Sequence, residues 1–359
     1  MSSRSVFNSL ERKIPSLLLV LLCALNGQAE DDLGDKIRAQ VCRVFDERKD
    51  ATVRVEAYDR HGKLCGTGFF ADPAGTVYTL ASIVANAEDI FIIHGERKIP
   101  AKLLMADPRS GIALIKADIN SPFIPVGDAR KLVLMSPVIA IGFPVNLDET
   151  AALGTVAGFD RKFLGRYFMT THIRAILPVE PGFGGAPLLN LRGEVVGIIF
   201  SGIGMGEGGG GCYAMPINAA EKIRMDYVRF GEARHGWVGV TVEEQAEPTE
   251  GSRVKVVDLG PDTPAAKSGL KDGDILLQVD QTKITTTEDV IDAAYFLTAG
   301  DTVKISVIRD GQPLSLDVRS TIHPVQDSPN YPQSAGYPQN GMQELHALIP
   351  DTGSNIKLE

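Results

Sequence analysis

Cysteine and positive charge are both scarce in this chain, and each scarcity excludes something. Four cysteines in 359 residues are too few for a disulfide-built scaffold. None stands in a C-x-x-C pair or another metal-ligand spacing, so neither a metal site nor a cofactor is expected. Lys and Arg number 36 against 45 Asp and Glu, a formal net charge of −9. That balance argues against nucleic acid and against an anionic membrane surface as partners. Long apolar runs are also missing. The one candidate, Leu17 to Leu25, is too short for a comfortable membrane span. A G-x-G-x-x-G string occurs at Gly204 to Gly209. It follows a strand, but no helix opens after it and no β-α-β unit surrounds it, so a dinucleotide site is rejected.

What is present is ordinary globular material. Hydrophobic residues make up 44% and charged residues 23%, and the length suits two or three domains. Arg4, Arg12 and Lys13 precede the apolar run, and Gly27-Gln28-Ala29 offers small residues for cleavage. Residues 1–29 therefore read as a signal peptide, with a periplasmic or secreted destination and no membrane span after cleavage. An uncleaved anchor is the alternative. Cys42, Cys65 and Cys212 then remain. A Cys42–Cys65 bridge would be worth about 3 kcal/mol; three small buried thiols is the other reading.

Period-two alternation is clear in Thr52-Val53-Arg54-Val55-Glu56-Ala57-Tyr58. Further short strands are expected at 64–70, 76–80, 90–94, 99–105, 112–116, 138–142, 154–159 and 168–176. Gly, Pro and Asp punctuate them, which argues for an all-β barrel or sandwich. Residues 217–230 read as a helix with Asn218 as its N-cap. From about Glu232 to Thr321 the composition resets into a second small domain. Residues 322–359, rich in Pro, Gln, Asn, Ser and Gly, read as a disordered tail; a partner-binding tail is the alternative.

Val179 to Leu189 reads V-E-P-G-F-G-G-A-P-L-L, followed by Gly193-Glu194-Val195-Val196-Gly197-Ile198. With Gly66-Thr67-Gly68-Phe69, Asp107-Pro108 and Ala214-Met215-Pro216-Ile217-Asn218, this resembles the HtrA/DegP family of trypsin-like serine proteases. The resemblance implies a double six-stranded antiparallel β-barrel over residues 36–230, followed by an α/β PDZ domain over 234–321. Such a protease needs a serine nucleophile, a histidine base and an orienting aspartate. By the resemblance their places are held by Gly184, Ser82 and Gly111. Loss of all three costs on the order of a million-fold in turnover. His61, His94 and His172 offer no evident replacement base, and Ser110 neighbours the aspartate's place, not the nucleophile's. Phe183 and Ala186 mark further drift. Gly182, Gly184 and Gly185 are left as donors of a residual oxyanion hole.

The stretch Pro261 to Leu276, with Ser268-Gly269-Leu270-Lys271-Asp272-Gly273-Asp274-Ile275, resembles the PDZ domains attached to bacterial proteases. By that resemblance Trp237, Val238, Gly239 and Val240 form the turn that receives a peptide's C-terminal carboxylate. The peptide adds as a strand beside Val240 to Val242. Ile291 and Tyr295, at i and i+4 on an expected helix, are read as the groove's second wall, with a core role for both as the alternative.

The expectation is an exported, catalytically inactive protein that binds peptides or unfolded-protein C-termini as a scaffold, chaperone or regulator. The resemblance implies a homotrimer or assembly with an active homologue. The competing readings are an active endopeptidase with displaced catalytic residues and a purely structural envelope component.

Overall fold

The computed structural model describes residues 34–145, 147–163, 166–203, 210–322 and 355–357. The expected signal peptide, the Gly204–Gly209 string and most of the expected tail lie outside the described residues. The chain divides into two units, residues 1–47 and 48–359. Helix α1 covers residues 34–48, laced by Arg38–Asp35 and Arg43–Glu47 pairs. No helix among the described residues is long and apolar enough to cross a membrane.

The larger unit opens with six strands: β1 (Thr52–Asp59), β2 (Gly62–Phe70), β3 (Thr76–Leu80), β4 (Asp89–His94), β5 (Arg97–Ala106) and β6 (Ile112–Ala117). They close into an antiparallel barrel in the order β1-β2-β3-β6-β5-β4. Alternation in β1 sends Val53, Val55 and Ala57 into the core, all at 0% exposure, as period two requires. The β1–β2 turn is made by Asp59, whose Oδ1 accepts the N–H groups of His61 and Gly62 at 2.7 and 2.9 Å. Between β3 and β4 lies a single helical turn, α2 (Ala81–Val84).

Six more strands follow: β7 (Pro137–Gly142), β8 (Thr150–Phe163), β9 (Arg166–Ile176), β10 (Pro187–Leu189), β11 (Val195–Ile203) and β12 (Gly211–Pro216). They close a second antiparallel barrel, β10-β11-β12-β9-β8-β7. Its core includes Val138, Ala140, Val156, Phe183, Leu188 and Ile199. Helix α3 (Ile217–Phe230) then ends on Gly231 in the left-handed region, a common helix stop. Asn218 is not its cap. Pro216 holds that position, and the Asn218 amide instead accepts from Ala129 N–H at 2.9 Å and donates to Asp128 at 3.3 Å. A cap serves its own helix; this amide ties α3 to the linker between the barrels.

The C-terminal domain contains β13 (Gly236–Trp237), β14 (Thr241–Thr249), β15 (Ser252–Val257), α4 (Pro264–Lys267), β16 (Ile275–Val279) and β17 (Thr282–Lys283). It continues with α5 (Thr287–Tyr295), β18 (Thr302–Arg309), β19 (Gln312–Arg319) and β20 (Thr321–Ile322). A last strand, β21 (Asn355–Lys357), joins the sheet ordered β19-β18-β16-β15-β14-β21. The domain has its own core of Val242, Val254, Val256, Ile284, Val307 and Val318, each at 0% exposure. Arg309 clamps it with two 2.7 Å bonds to the buried Asp274 carboxylate. Helix α5 starts at Thr286, whose N–H is taken by Asp289 at 2.9 Å.

Candidate functional site

Ser82, Gly111 and Gly184 come together at the seam between the two barrels. Ser82 is exposed on α2. Its neighbour Ala81 donates its N–H to the carbonyl of Gly111 at 2.8 Å. Gly184 is held by its own carbonyl, which accepts from Thr67 N–H at 2.8 Å. The Thr67 hydroxyl donates to Gly182 O at 2.7 Å and accepts from Phe143 N–H at 3.0 Å. The turn at 181–185 is therefore stitched to both barrels by one buried threonine.

The seam is filled by apolar groups. A Cβ on Gly111 would stand 2.7 Å from Phe200 Cε1, and its φ of +71° is one L-residues rarely adopt. A Cβ on Gly184 would meet Leu80 Cδ1 and Phe200 O, each at 3.2 Å. Leu80 and Ile83 are 5% and 7% exposed. Phe183 does not enter this seam. It is 1% exposed in the second barrel's core, against Gly142. Of the glycine amides expected to serve an anion, that of Gly185 is taken by Ile199 O at 2.7 Å. It cannot be offered to a ligand, which corrects that part of the expectation.

Among the described residues no histidine supplies a base at the seam. His61 is exposed and accepts from Arg60 at 2.9 Å. His94 bonds the carbonyl of Asp50 at 2.9 Å. His172 lies behind Phe200, with ring centroids 5.6 Å apart, and its Nδ1 bonds Thr170 O at 2.7 Å. Among the described residues the one histidine–carboxylate pair is His235–Asp107, at 2.8 Å. The Ser110 N–H also donates to Asp107, at 2.9 Å. The three residues are 1%, 2% and 2% exposed, so no substrate reaches them. Burial pushes the His235 pKa down. His235 Nδ1 has no hydrogen-bond partner, so a second ring proton would be an orphaned donor. A neutral imidazole donating Nε2–H to an ionised Asp107 satisfies the geometry. Burial alone would raise the Asp107 pKa; the His235 and Ser110 bonds hold it well below the carboxylate range instead.

Burial brings His172 down to about 4. The sign follows. Below the unfolded-state value of 6.5 the unfolded chain takes up a proton that the folded chain refuses. Stability is full above pH 6.5 and falls as pH drops toward 4, by about 3 kcal/mol in all. Guanidinium unfolding at pH 7 and pH 5 is expected to show about 2 kcal/mol of this loss. His172→Gln should lose about 2 kcal/mol less than the native protein over this interval; an equal loss in that variant would contradict the assignment. Burial likewise pushes the Cys212 thiol up to about 12, which makes it inert. Cys42, Cys65 and Cys212 are all free thiols in this structure.

In the C-terminal domain the turn at Trp237 to Val240 precedes β14, which pairs with β15 on one side and with β21 on the other. Gly239 is at φ +72°, and a Cβ there would lie 2.6 Å from Thr263 and 2.8 Å from the Trp237 ring. The carbonyl of Val238 anchors the turn by accepting from Ala265 N–H at 2.9 Å. Val240 is 4% exposed and belongs to the domain core. The second wall differs from expectation. Tyr295 is 1% exposed, and its hydroxyl donates to Ala219 O on α3 at 3.3 Å. It is an interdomain residue, not a groove wall. Ile291 is half-buried and lines a small crevice with Phe168 and Thr171 of β9. Of Thr286 and Thr287, the two residues expected to cap this helix, Thr286 is the cap, while Thr287 reaches from α5 to Glu244 of β14 at 3.4 Å.

Tyr295 faces away because α5 is docked on the second barrel. Asp292 accepts from the Thr170 hydroxyl and the Thr171 N–H at 2.6 and 2.7 Å. Arg161 pairs with Asp289 at 2.5 Å, and Arg229 with Asp301 at 3.0 Å. At the centre Asp226 accepts from Lys222 at 2.7 Å, Arg234 N–H at 3.0 Å and the Thr298 hydroxyl at 2.8 Å. His235–Asp107 completes this seal.

Comparison with known proteins places both halves. A trypsin-like peptidase domain matches residues 66–198 and a PDZ domain matches residues 236–319. The chain is 33% identical over 280 residues to a probable periplasmic serine endoprotease DegP-like of Pseudomonas putida (strain W619), covering 75% of this chain and 58% of that protein. It is 28% identical over 285 residues to a protein of the same description from Chlamydia trachomatis serovar D, covering 76% and 56%. The chain thus spans less than three-fifths of the length of these curated relatives. Among solved structures, the HtrA-type protease AlgW with tripeptide superposes with a TM-score of 0.66 at 23% identity, over 79% of this chain and 97% of that one. The serine endoprotease from Yersinia pestis does so with a TM-score of 0.59 at 26% identity, over 79% and 98%.

Proposed function

The chain belongs to the HtrA/DegP family of trypsin-like serine proteases with one PDZ domain, and from that premise we propose that it binds peptides without cleaving them. The observation that carries this reading is the seam. Ser82, Gly111 and Gly184 stand where the family's base, orienter and nucleophile are expected, and Phe200 fills the space beside Gly111. A hydroxyl cannot act as general base near neutral pH, and glycine brings no nucleophile. The binding half rests on β14. Its side away from β15 takes an added strand, a place held in this structure by the short β21, and the turn before it is shaped by Gly239 for a carboxylate. In this reading the protein is a scaffold, chaperone or regulator in the periplasm or outside the cell. The signal pattern of residues 1–29 and the description of the Pseudomonas putida relative support that placement. A homotrimer, or assembly with an active homologue, belongs to the same proposal.

Binding of labelled decapeptides with an apolar last residue tests it. The free acid is expected to bind at least about tenfold more tightly than the amide, a difference of about 1.4 kcal/mol. Gly239→Ala should erase the difference, because its Cβ would collide with Thr263 and the Trp237 ring and displace the turn. Equal affinity for acid and amide would remove the carboxylate claim. The second reading, displaced catalysis, is favoured by one observation: Ser110 beside the Asp107–His235 pair. A fluorophosphonate probe decides it. No serine is expected to be labelled in the folded protein, and labelling of Ser110 would revive that reading.

A further inference from the structure

Strand β14 is not bare. Asn355–Lys357 lies on its outer edge, antiparallel, with Thr241 opposite Lys357, Val242 opposite Ile356 and Glu243 opposite Asn355. The other edge of β14 pairs with β15, so β21 takes the side to which a peptide strand would add. Its direction also fits. Lys357, last of the three, lies opposite Thr241, the residue next to the Trp237–Val240 turn. A peptide entering with its C-terminal end toward that turn would run the same way.

We propose that the segment around Asn355–Lys357 is an intramolecular ligand of the PDZ edge that competes with external peptides. The proposal rests on the peptide-binding reading above and adds what regulates it. Two further points support this occupant. Residues 323–354 join it to β20, and a stretch of that length can span up to about 100 Å, so the connection does not prevent the segment from reaching β14. An edge strand left open is also a template for unwanted pairing, and covering it is a common protection.

The arithmetic gives the expected size. Linkage within one chain supplies an effective concentration of about 1 mM. A segment of intrinsic Kd near ~100 μM would then fill the edge about nine-tenths of the time and weaken external peptides about tenfold. The contact is weak enough to be displaced by a tighter ligand, so the segment sets a threshold and does not block the edge outright.

The test uses a fluorescein-labelled peptide of residues 350–359 and three proteins. These are the full chain, the full chain carrying Ile356→Pro and Lys357→Pro, and a chain ending at Ile322. Adjacent prolines place one at a ladder position whichever residue donates. Anisotropy is expected to give matching affinities for the second and third proteins and about tenfold weaker binding to the first. Equal affinity for all three, or no binding to any, would overturn the proposal. The free-acid decapeptide serves as the second probe. If it binds all three proteins equally while the 350–359 peptide binds none, the edge takes peptides but the segment is not its ligand. If it too binds none, the peptide-binding reading falls as well. Amide hydrogen exchange at Thr241–Glu243 gives an independent readout: faster exchange is expected in the double-proline chain, and an unchanged rate counts against the pairing.

Discussion

A chain carrying Ser82→His, Gly111→Asp and Gly184→Ser together is expected to remain without measurable hydrolysis of an unfolded substrate. The native sequence is expected to be silent first. Losing a triad costs on the order of a million-fold, which takes a typical ~10 turnovers per second to about one per day. Restoring the side chains does not restore their positions. Ser82 is exposed and a histidine fits there. Gly184→Ser needs Leu80 and the Phe200 backbone, each 3.2 Å from the new Cβ, to yield by a few tenths of an ångström. Gly111→Asp is the obstacle. Its Cβ would lie 2.7 Å from the Phe200 ring, at a φ of +71°. That backbone costs about 1–2 kcal/mol for an L-residue, and overpacking adds about 1–3 kcal/mol. The carboxylate is then held off line, and an unoriented imidazole loses most of its effect. Adding Phe200→Ala should free the space and raise hydrolysis of fluorescent casein above that of the triple variant. Full activity in the triple variant would show that Phe200 is no barrier.

Asp226→Asn is expected to destabilise the protein by about 3–5 kcal/mol, the cost of breaking a buried ion pair from one side. Lys222 and Asp226 side chains are 8% and 3% exposed. Burial already pushes the Lys222 pKa down, with Asp226 opposing it. Without the carboxylate, Lys222 either stays charged in a dry site or gives up its proton. From the unperturbed value of 10.4, neutralisation at pH 7 costs about 5 kcal/mol, which caps the effect. The substitution also loosens the seal, because Asp226 holds Thr298 of the PDZ domain and the Arg234 N–H of the linker. Guanidinium unfolding should show the loss in stability, and hydrogen exchange should rise at Gly236–Trp237. Lys222→Met with Asp226→Leu should recover much of it, since a well-packed apolar pair is often as stable as the ions it replaces. A loss below about 1 kcal/mol in Asp226→Asn would mean that the pair is solvated and the domain contact loose.

The sequence carried the strands well because their signal is local. Alternation marks β1, and Asp59 and Gly62 mark its turn. Helix α3 was equally legible from Ile223, Tyr227 and Phe230. Its cap was not, because Asn218 is drawn away by Asp128 and Ala129 of another segment. Tyr295 failed for a related reason. Spacing of i and i+4 says that Ile291 and Tyr295 share a helix face; it does not say which neighbour that face meets. Docking of α5 on β9 and α3 decided it. The Asp107–His235 pair joins residues 128 apart in sequence, and no periodicity encodes such a contact. Asp107 could be read only as an anchor of a family phrase. Filling of the seam by Phe200 had no signal either, since it lies on β11, far in sequence from Gly111.

The most direct test of binding without hydrolysis is one time course. The protein is mixed with a labelled free-acid decapeptide, anisotropy is followed to saturation, and the mixture is analysed by mass spectrometry after a day. The expected result is saturable binding with the peptide recovered intact. Fragments that appear with the native protein, and vanish when one of its serines is replaced by alanine, would contradict the claim.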